Sequence, residues 1–288
     1  MKVVLFYGGQ GLRMRGAAAD GLPKPMVPLG RRPLLWHVMR YYAHWGHKDF
    51  ILCLGHGGEA IKGYFAANEE WRSEDFVLAP GGGTGPEPLL CDAQGWRVTF
   101  VDTGAEANIG ERLLAVRPHL RGEEMFLANY ADGLTDHPLP RLVEDARDRG
   151  AVGAFLATRP GTSFHFVEQD ADGVVRGIRP VEETALRVNG GFFVFRREIF
   201  DYIRPGEELV EEPFARLVEE GLLLAHRHDG FWRSCDTFKD LRALEGMMAR
   251  GPAPWELWRR SPPGDEPAER GWLGPQIQPR LAPAPLRG

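Results

Sequence analysis

An apolar run that stops abruptly in glycine governs what this chain can become. Val3-Val4-Leu5-Phe6-Tyr7, opened by Lys2, is continuously apolar and rich in β-favouring side chains, the pattern of a short strand buried on both faces. It ends in Gly8-Gly9-Gln10-Gly11. Three glycines among four residues allow positive φ and let backbone N–H groups approach a ligand closely. Consecutive N–H groups in such a turn form a nest for an anion. Arg13 and Lys24 then add positive charge, and Pro23 and Pro25 stiffen the segment that carries Lys24. Strand, nest and two cations together call for a phosphate-rich ligand.

The commoner phosphate motifs are absent. A dinucleotide fingerprint begun at Gly9 would need its third glycine where Met14 stands, and no G-x-x-x-x-G-K-[ST] occurs. A net charge of −5 removes the electrostatic case for nucleic acid. Cys53, Cys91 and Cys235 lie far apart with no C-x-x-C pair, which predicts a reduced, cytoplasmic compartment. The opening run is too short for a signal-peptide core, and no apolar stretch approaches a membrane span. The histidines form no H-x-E or H-x₃-H pair with ligand partners, which argues against zinc.

Beyond the nest, Leu34, Leu35, Val38, Met39 and Tyr42 have helical spacing, with Gly46 placed to stop the helix. Phe50–Leu54 reads as a second buried strand, followed by a helix from about Glu59 to Ala67. Residues 73–95 interrupt this rhythm, and Pro80–Pro86 reads as a surface loop. The alternation resumes with strand Arg97–Val101, a helix near Gly110–Val116, strand Met125–Ala128, helix Leu139–Arg149 and strand Val152–Thr158. Such βαβ alternation implies a parallel sheet with right-handed crossovers. Phe164–Glu168, Val174–Ile178 and Gly191–Phe195 look like shorter, largely antiparallel strands, with a turn at Asp172-Gly173. Short helices are expected at Glu198–Ile203 and Phe214–Glu220, and a longer one at about Phe238–Ala249. His226 and His228 alternate along a strand and are expected at the surface. The aromatic helix around Trp36, Tyr41, Tyr42 and Trp45 is expected to be core or subunit contact. From Gly251 the chain turns proline-rich, with nine prolines in the last 38 residues, so an extended tail is expected there.

Two aspartates stand out. Asp132, in Asn129-Tyr130-Ala131-Asp132-Gly133, follows a strand end, where ligands bind in open α/β sheets. It fits a turn as well as a Mg²⁺ ligand, since Asp-Gly is a common turn pair. Asp236 precedes a helix and fits an N-cap region as well as a ligand. Spacing leaves both alternatives open.

The sequence Gly8-Gly9-Gln10-Gly11-Leu12-Arg13-Met14 followed by Pro23-Lys24-Pro25-Met26 resembles the signature of the sugar-1-phosphate nucleotidylyltransferases, G-G-x-G-T-R-[LM] and P-K-P-M. Further shared stretches, at Leu34–His44, Val101-Asp102-Thr103-Gly104, Val188–Phe193 and Ala253–Trp258, make it most similar to the glucose-1-phosphate cytidylyltransferases. The resemblance implies an α/β fold: a Rossmann-like mixed, mostly parallel sheet flanked by helices, with a small β appendage. It implies a nucleotidyltransferase domain over 1–250 and a tail over 251–288, partly docked near Trp255 and Trp258. It implies transfer of a nucleotidyl group, CMP from CTP, to a sugar-1-phosphate or related phosphorylated polyol, with release of pyrophosphate. The alternative is a homologue that binds the nucleotide or sugar nucleotide without turnover. A homo-oligomer is also implied.

On the same resemblance, Lys24 contacts the α-phosphate, Arg13 the β- and γ-phosphates, and Asp132 and Asp236 hold Mg²⁺. Lys24, Arg13 and Asp132 are thereby the catalytic set. Gly8, Gly9, Gly11 and Arg112 contribute to the nucleotide site, and Asn189 to the sugar phosphate or nucleotide. Four departures stand out. Leu12 replaces a threonine, Ile109 and Glu111 alter T-G-G-R, Thr162–His165 replaces a G-R-F-G segment, and Val181 falls near the lysine of E-K-P. With valine there, Arg179 is the nearest cation for the acceptor phosphate, and an acceptor other than glucose-1-phosphate is expected.

Overall fold

A computed structural model describes residues 1–7, 22–66, 76–77, 87–88, 95–161 and 164–260 of the 288. Gly8, Gly9, Gly11, Leu12 and Arg13, the loop Pro80–Pro86, Thr162, Ser163 and residues 261–288 lie outside the described residues.

The first strand, β1 (Val3–Phe6), sits in the middle of an eight-stranded sheet. It pairs in parallel with β2 (Asp49–Leu54) on one side and β4 (Met125–Tyr130) on the other, and β2 pairs in parallel with β3 (Arg97–Asp102). Alternation decides which core each residue enters. Val3, Leu5 and Tyr7 join one cluster with helix α1 (Leu34–His44); Val4 and Phe6 join another with α3 (Ile109–Val116). Helices on both faces explain why β1 carries no polar residue: each side chain there is 5% exposed or less. The remaining main helices are α2 (Gly58–Ala66), α4 (Leu139–Asp148), α5 (Glu212–Glu219) and α6 (Phe238–Met248).

Beyond β4 the sheet becomes mixed. Strand β6 (Gly153–Thr158) pairs antiparallel with both β9 (Val188–Asn189) and β10 (Phe193–Arg196), and β10 pairs antiparallel with β4. Strand β11 (Leu223–Arg227) closes that edge in parallel with β6. Between β9 and β10 the chain bulges through Gly190, Gly191 and Phe192, and Phe192 takes φ +52°, the left-handed region. A side chain at Gly191 would put Cβ 2.5 Å from Asn129 Oδ1, so glycine is required there.

Two ribbons lie off this sheet. Strands β7 (His165–Gln169) and β8 (Val175–Pro180) form an antiparallel hairpin whose turn is built by Asp170, whose Oδ1 accepts from the N–H of Asp172 and of Val174. Strands β5 (Gly133–Thr135) and β12 (Trp232–Ser234) form the second.

The aromatic residues of α1 prove to be core: Trp36, Tyr41 and Tyr42 are buried, the two tyrosines against Phe192. After α6, Trp255 is fully buried, and Trp258 meets Trp36 edge-on at 5.7 Å. The expectation of a surface pair at His226 and His228 needs correction. His228 is buried, 3.0 Å from Asp136 and 3.3 Å from His137, because β11 is covered on that side by α4 and the β5 turn. Among the described residues, no helix is long and apolar enough to cross a membrane.

His37 on α1 fixes the C-terminal segment. The Trp255 indole N–H donates to its Nδ1 at 3.3 Å, so the ring donates through Nε2 to the Leu29 carbonyl at 3.0 Å. Burial above all pushes its pKa down to about 4, against the pull of the Leu29 carbonyl. The unfolded chain therefore takes up this proton first, near pH 6.5, and stability present above that pH is lost as pH falls towards 4. The expected loss is roughly 3 kcal/mol from this residue. Urea unfolding between pH 7 and 4 checks it: His37→Gln should flatten the slope, and an unchanged slope would remove His37 as its cause.

Candidate active site

Lys24 is presented by a rigid platform. Pro23, Lys24 and Pro25 enter a single 3-10 turn, closed by Met26 N–H to Pro23 O at 2.8 Å and Val27 N–H to Lys24 O at 3.1 Å. Met26 and Val27 anchor it in the core. Gly57 backs it closely, since a Cβ there would lie 3.0 Å from Pro23 Cβ.

The β5–β12 ribbon supplies the two carboxylates. Gly133 pairs with Ser234, and the Cys235 N–H donates to the Asp132 carbonyl at 2.9 Å, so Asp132 and Asp236 emerge at the same end. Leu134 and Cys235 root that end in the core. Lys24 Nζ lies 2.5 Å from Asp132 Oδ2 and 2.6 Å from Asp236 Oδ1. The Ser234 hydroxyl donates to Asp236 Oδ2 at 2.6 Å and fixes its rotamer. Asp236 is not the cap of α6: Thr237 takes that role, in a capping box with Asp240. Its carboxylate is thus left for the site.

Burial lowers the Lys24 pKa, but Asp132 and Asp236 together outweigh it and the net shift is upward. The ammonium keeps its proton at neutral pH and acts as a fixed charge rather than a base. Two carboxylates converging on one cation make a hard, all-oxygen donor set that fits Mg²⁺, which takes few protein ligands and retains waters. Among the described residues no group of three or more His, Cys, Asp or Glu side chains is placed to hold a metal, so the donor set here is the two carboxylates.

Arg112, which the resemblance puts at the nucleotide, is held by backbone around the end of β1. It is buried, and its guanidinium donates to the carbonyls of Tyr7 (3.0 Å), Leu54 (3.4 Å) and Ala105 (3.4 Å) and to the Thr103 hydroxyl (2.6 Å). It ties together the ends of β1 and β2 and the loop after β3, and so reaches the site through the backbone it holds. Glu111, which would oppose an anion, turns instead to the helix start: its carboxylate accepts from Asn108 N–H at 3.0 Å in a capping box.

Arg179, expected at the acceptor phosphate, is engaged within its own hairpin. It lies on the hairpin with its charge met by Glu168 and its guanidinium over Phe166. The residues beside the ribbon form a hollow of about 450 Å³ lined by Arg159, Gly161, Glu182, Glu183, Trp232 and Arg233 among others, and Arg179 is not one of them. Trp232 is fixed by its N–H to Gly190 O at 2.8 Å. Asn189, expected at the acceptor, accepts from Gly191 N–H at 2.9 Å and also bonds Tyr130, which holds the bulge in shape. Ser234, Trp232, Arg159 and Arg233 were not singled out from sequence. For all of these but Arg159 the one available signal was the tract Phe231–Thr237 itself, too short for a periodic pattern.

Residues 2–246 match a family described as nucleotidyl transferase. The chain is 34% identical over 260 residues to a protein of Bacillus subtilis named probable glucose-1-phosphate cytidylyltransferase, covering 90% of this chain and all of that one. It is 36% identical over 262 residues to the glucose-1-phosphate cytidylyltransferase of Salmonella typhi, again covering 90% of this chain and all of the relative. A crystal structure from Bacillus anthracis, assigned as a glucose-1-phosphate thymidylyltransferase, superposes with a TM-score of 0.62 at 15% identity, over 87% of this chain and 96% of that one. That likeness is one of fold.

The Arg112 bracket yields a test. Arg112→Met would strip donors from buried carbonyls of three segments and should cost about 2–4 kcal/mol in urea unfolding. A stability within 0.5 kcal/mol of the parent, roughly the scatter of a surface substitution, would mean that the bracket holds nothing.

Proposed function

The chain belongs to the nucleotidyl transferase family, and from that premise we propose that it transfers CMP from CTP to a sugar-1-phosphate, releasing pyrophosphate. The observation that carries this reading is Lys24 held between Asp132 and Asp236. The relatives that match along 90% of the chain bear cytidylyltransferase names, which supports CTP and a sugar-1-phosphate as the pair.

In this reading an acceptor phosphate oxygen attacks the α-phosphorus of CTP in line, and the bond to pyrophosphate breaks. Such a displacement needs positioning and charge neutralisation more than covalent help. A Mg²⁺ ion held by Asp132 and Asp236 would neutralise charge on the reacting phosphates. Lys24 would offer a permanent positive charge to the α-phosphate from a turn stiffened by Pro23 and Pro25, so little reorganisation would be needed as charge builds. Gly8, Gly9, Gly11 and Arg13 would hold the triphosphate. The acceptor would take the hollow beside Trp232, with Arg159 and Arg233 as its cations and the Glu182 and Glu183 carboxylates accepting from sugar hydroxyls. Arg233 makes no ion pair among the described residues, whereas Arg159 meets Asp229. A reduced, cytoplasmic setting is supported by the buried, unpaired thiols of Cys53 and Cys235.

Pyrophosphate release from CTP and a panel of sugar-1-phosphates, glucose-1-phosphate among them, with Mg²⁺ tests the reaction. Turnover is expected for the parent, and none with any nucleotide and sugar-1-phosphate would favour the non-catalytic alternative. Asp132→Asn and Asp236→Asn should each abolish turnover at limiting Mg²⁺ while leaving the circular dichroism unchanged. Wild-type rates in both would overturn the metal assignment.

Lys24→Ala separates transition-state charge from binding. It should lower kcat on the order of 10²–10³-fold with little change in the KM for CTP. A change confined to KM would leave Lys24 a binding residue.

A further inference from the structure

The β5–β12 ribbon has only three residue pairs, and a ribbon that short depends on what holds its ends. The end away from the two aspartates is closed by Asp136 and Phe231. The Asp136 N–H donates to the Phe231 carbonyl at 3.1 Å, and the Phe231 N–H donates to Asp136 Oδ1 at 2.9 Å. The Thr135 hydroxyl donates to the same Phe231 carbonyl at 2.9 Å. Asp136 Oδ1 also lies 3.0 Å from His228 Nε2. The fit is tight: a Cβ at Gly230 would fall 2.6 Å from both Asp136 Oδ1 and His228 Cε1.

His228 belongs to a cluster of imidazoles. His137 Nδ1 faces His228 Nδ1 at 3.3 Å, and the His137 ring lies 4.9 Å from the rings of both His226 and His228. Only one hydrogen fits between two nitrogens that face each other. With His228 Nε2–H given to Asp136, its Nδ1 is an acceptor and His137 Nδ1–H is the donor. His137 Nε2 then carries a lone pair, buried and without a hydrogen-bond partner among the described residues. An added proton would put a charged N–H where nothing accepts it. The groups facing the pair give no relief. Asp136 is shared between His228 and Phe231, while Arg141 on α4 and His226 on β11 oppose a positive charge. Asp145 on α4 is taken by His226 at 2.7 Å and by Arg149 at 2.7 Å. Tyr41 on α1 gives its hydroxyl to the His137 carbonyl at 2.7 Å. Burial first, then His228, His226 and Arg141, push the His137 pKa down to about 3.

We propose that His137 and His228 are positioning residues for the site: neutral, they hold the ribbon so that Asp132 and Asp236 converge on Lys24, and in acid they release it. What the carboxylates do rests on the cytidylyltransferase reading; the hold on the ribbon does not. The sign follows from linkage. A histidine whose folded pKa lies below its unfolded value of about 6.5 favours the closed ribbon above that pH, and the open ribbon takes the proton first as pH falls. From pH 7.5 to 5, one such residue favours opening by roughly 30-fold. His37 weakens the whole fold in acid, whereas this pair opens one corner of it.

Hydrogen exchange of the ligand-free chain, resolved to single amides and corrected for the intrinsic rate at each pH, is the test. The reporter is the Cys235 N–H, which donates to the Asp132 carbonyl and so joins the two aspartate-bearing ends. Its protection should fall at least tenfold between pH 7.5 and 5. At pH 5 it should also lie at least tenfold below that of β1, which opens only with the whole fold. In His137→Asn, whose amide nitrogen can stand in for Nδ1 but does not titrate, the fall should shrink below threefold. His228→Leu should lose the protection already at pH 7.5, and His228→Gln, which returns a donor to Asp136, should recover it; a space-filling role would show no such rescue. A flat profile in the parent overturns the inference, and so does an equal fall in His137→Asn. Ribbon and β1 amides that share one protection at every pH overturn it too, because the opening would then be global. If His228→Leu does not fold, the parent and His137→Asn still decide. No substrate enters the readout, so failure here and failure of the cytidylyltransferase reading are distinguishable.

Discussion

Two carboxylates pointed at one place repel each other and hold only if a cation lies between them. In this protein Lys24 is that cation, at 2.5 and 2.6 Å, and the surrounding architecture can be understood as the means of keeping three charges in register. Prolines on either side of Lys24 remove its backbone freedom. The pairing of β5 with β12 brings both aspartates to one end, and Ser234 fixes the outer one. The partly buried setting raises the stakes: an unpaired charge there would be costly, whereas the paired set is compensated.

The same economy appears in the sheet. Its parallel half needs no polar residue because helices cover both faces, and its antiparallel half begins where β10 enters next to β4. The bulge between β9 and β10 marks the transition. Gly191 passes so close to Asn129 that no side chain fits, and Phe192 adopts a left-handed conformation that is otherwise confined to glycines among the described residues. Backbone strain of this kind persists only where the surroundings over-determine it. Here the Asn129 side chain, which accepts from Phe192 N–H, and the tyrosines of α1 do so.

How much of this could be read from the chain depended on the length of the signal. Strand β1, helix α1 and the βαβ series have four or more residues each in a regular period, and their places were legible. The ribbon β5–β12 was not: each strand is three residues long, and the partners lie about a hundred positions apart, so no local pattern marks them. Spacing alone therefore could not join Asp132 to Asp236, which the pairing of β5 with β12 does. For Arg112 the obstacle is of a different kind. Its residue type is the same whether the guanidinium grips a ligand or three carbonyls, and only burial separates the two. Arg179 was likewise chosen as the nearest cation in sequence, while Glu168, its partner across the hairpin, had already neutralised it.

Lys24 finds Asp132 across 108 positions and Asp236 across 212. During synthesis β1, β2, β3 and β4 can pair with one another well before Asp236 leaves the ribosome, since their mutual pairings involve no residue beyond 130. Until β12 pairs and Trp255 seats against His37, that nascent core would hold Lys24 against a single carboxylate. The charge centre is therefore completed late, and a chain that ends before Asp236 is built with Lys24 facing one carboxylate instead of two.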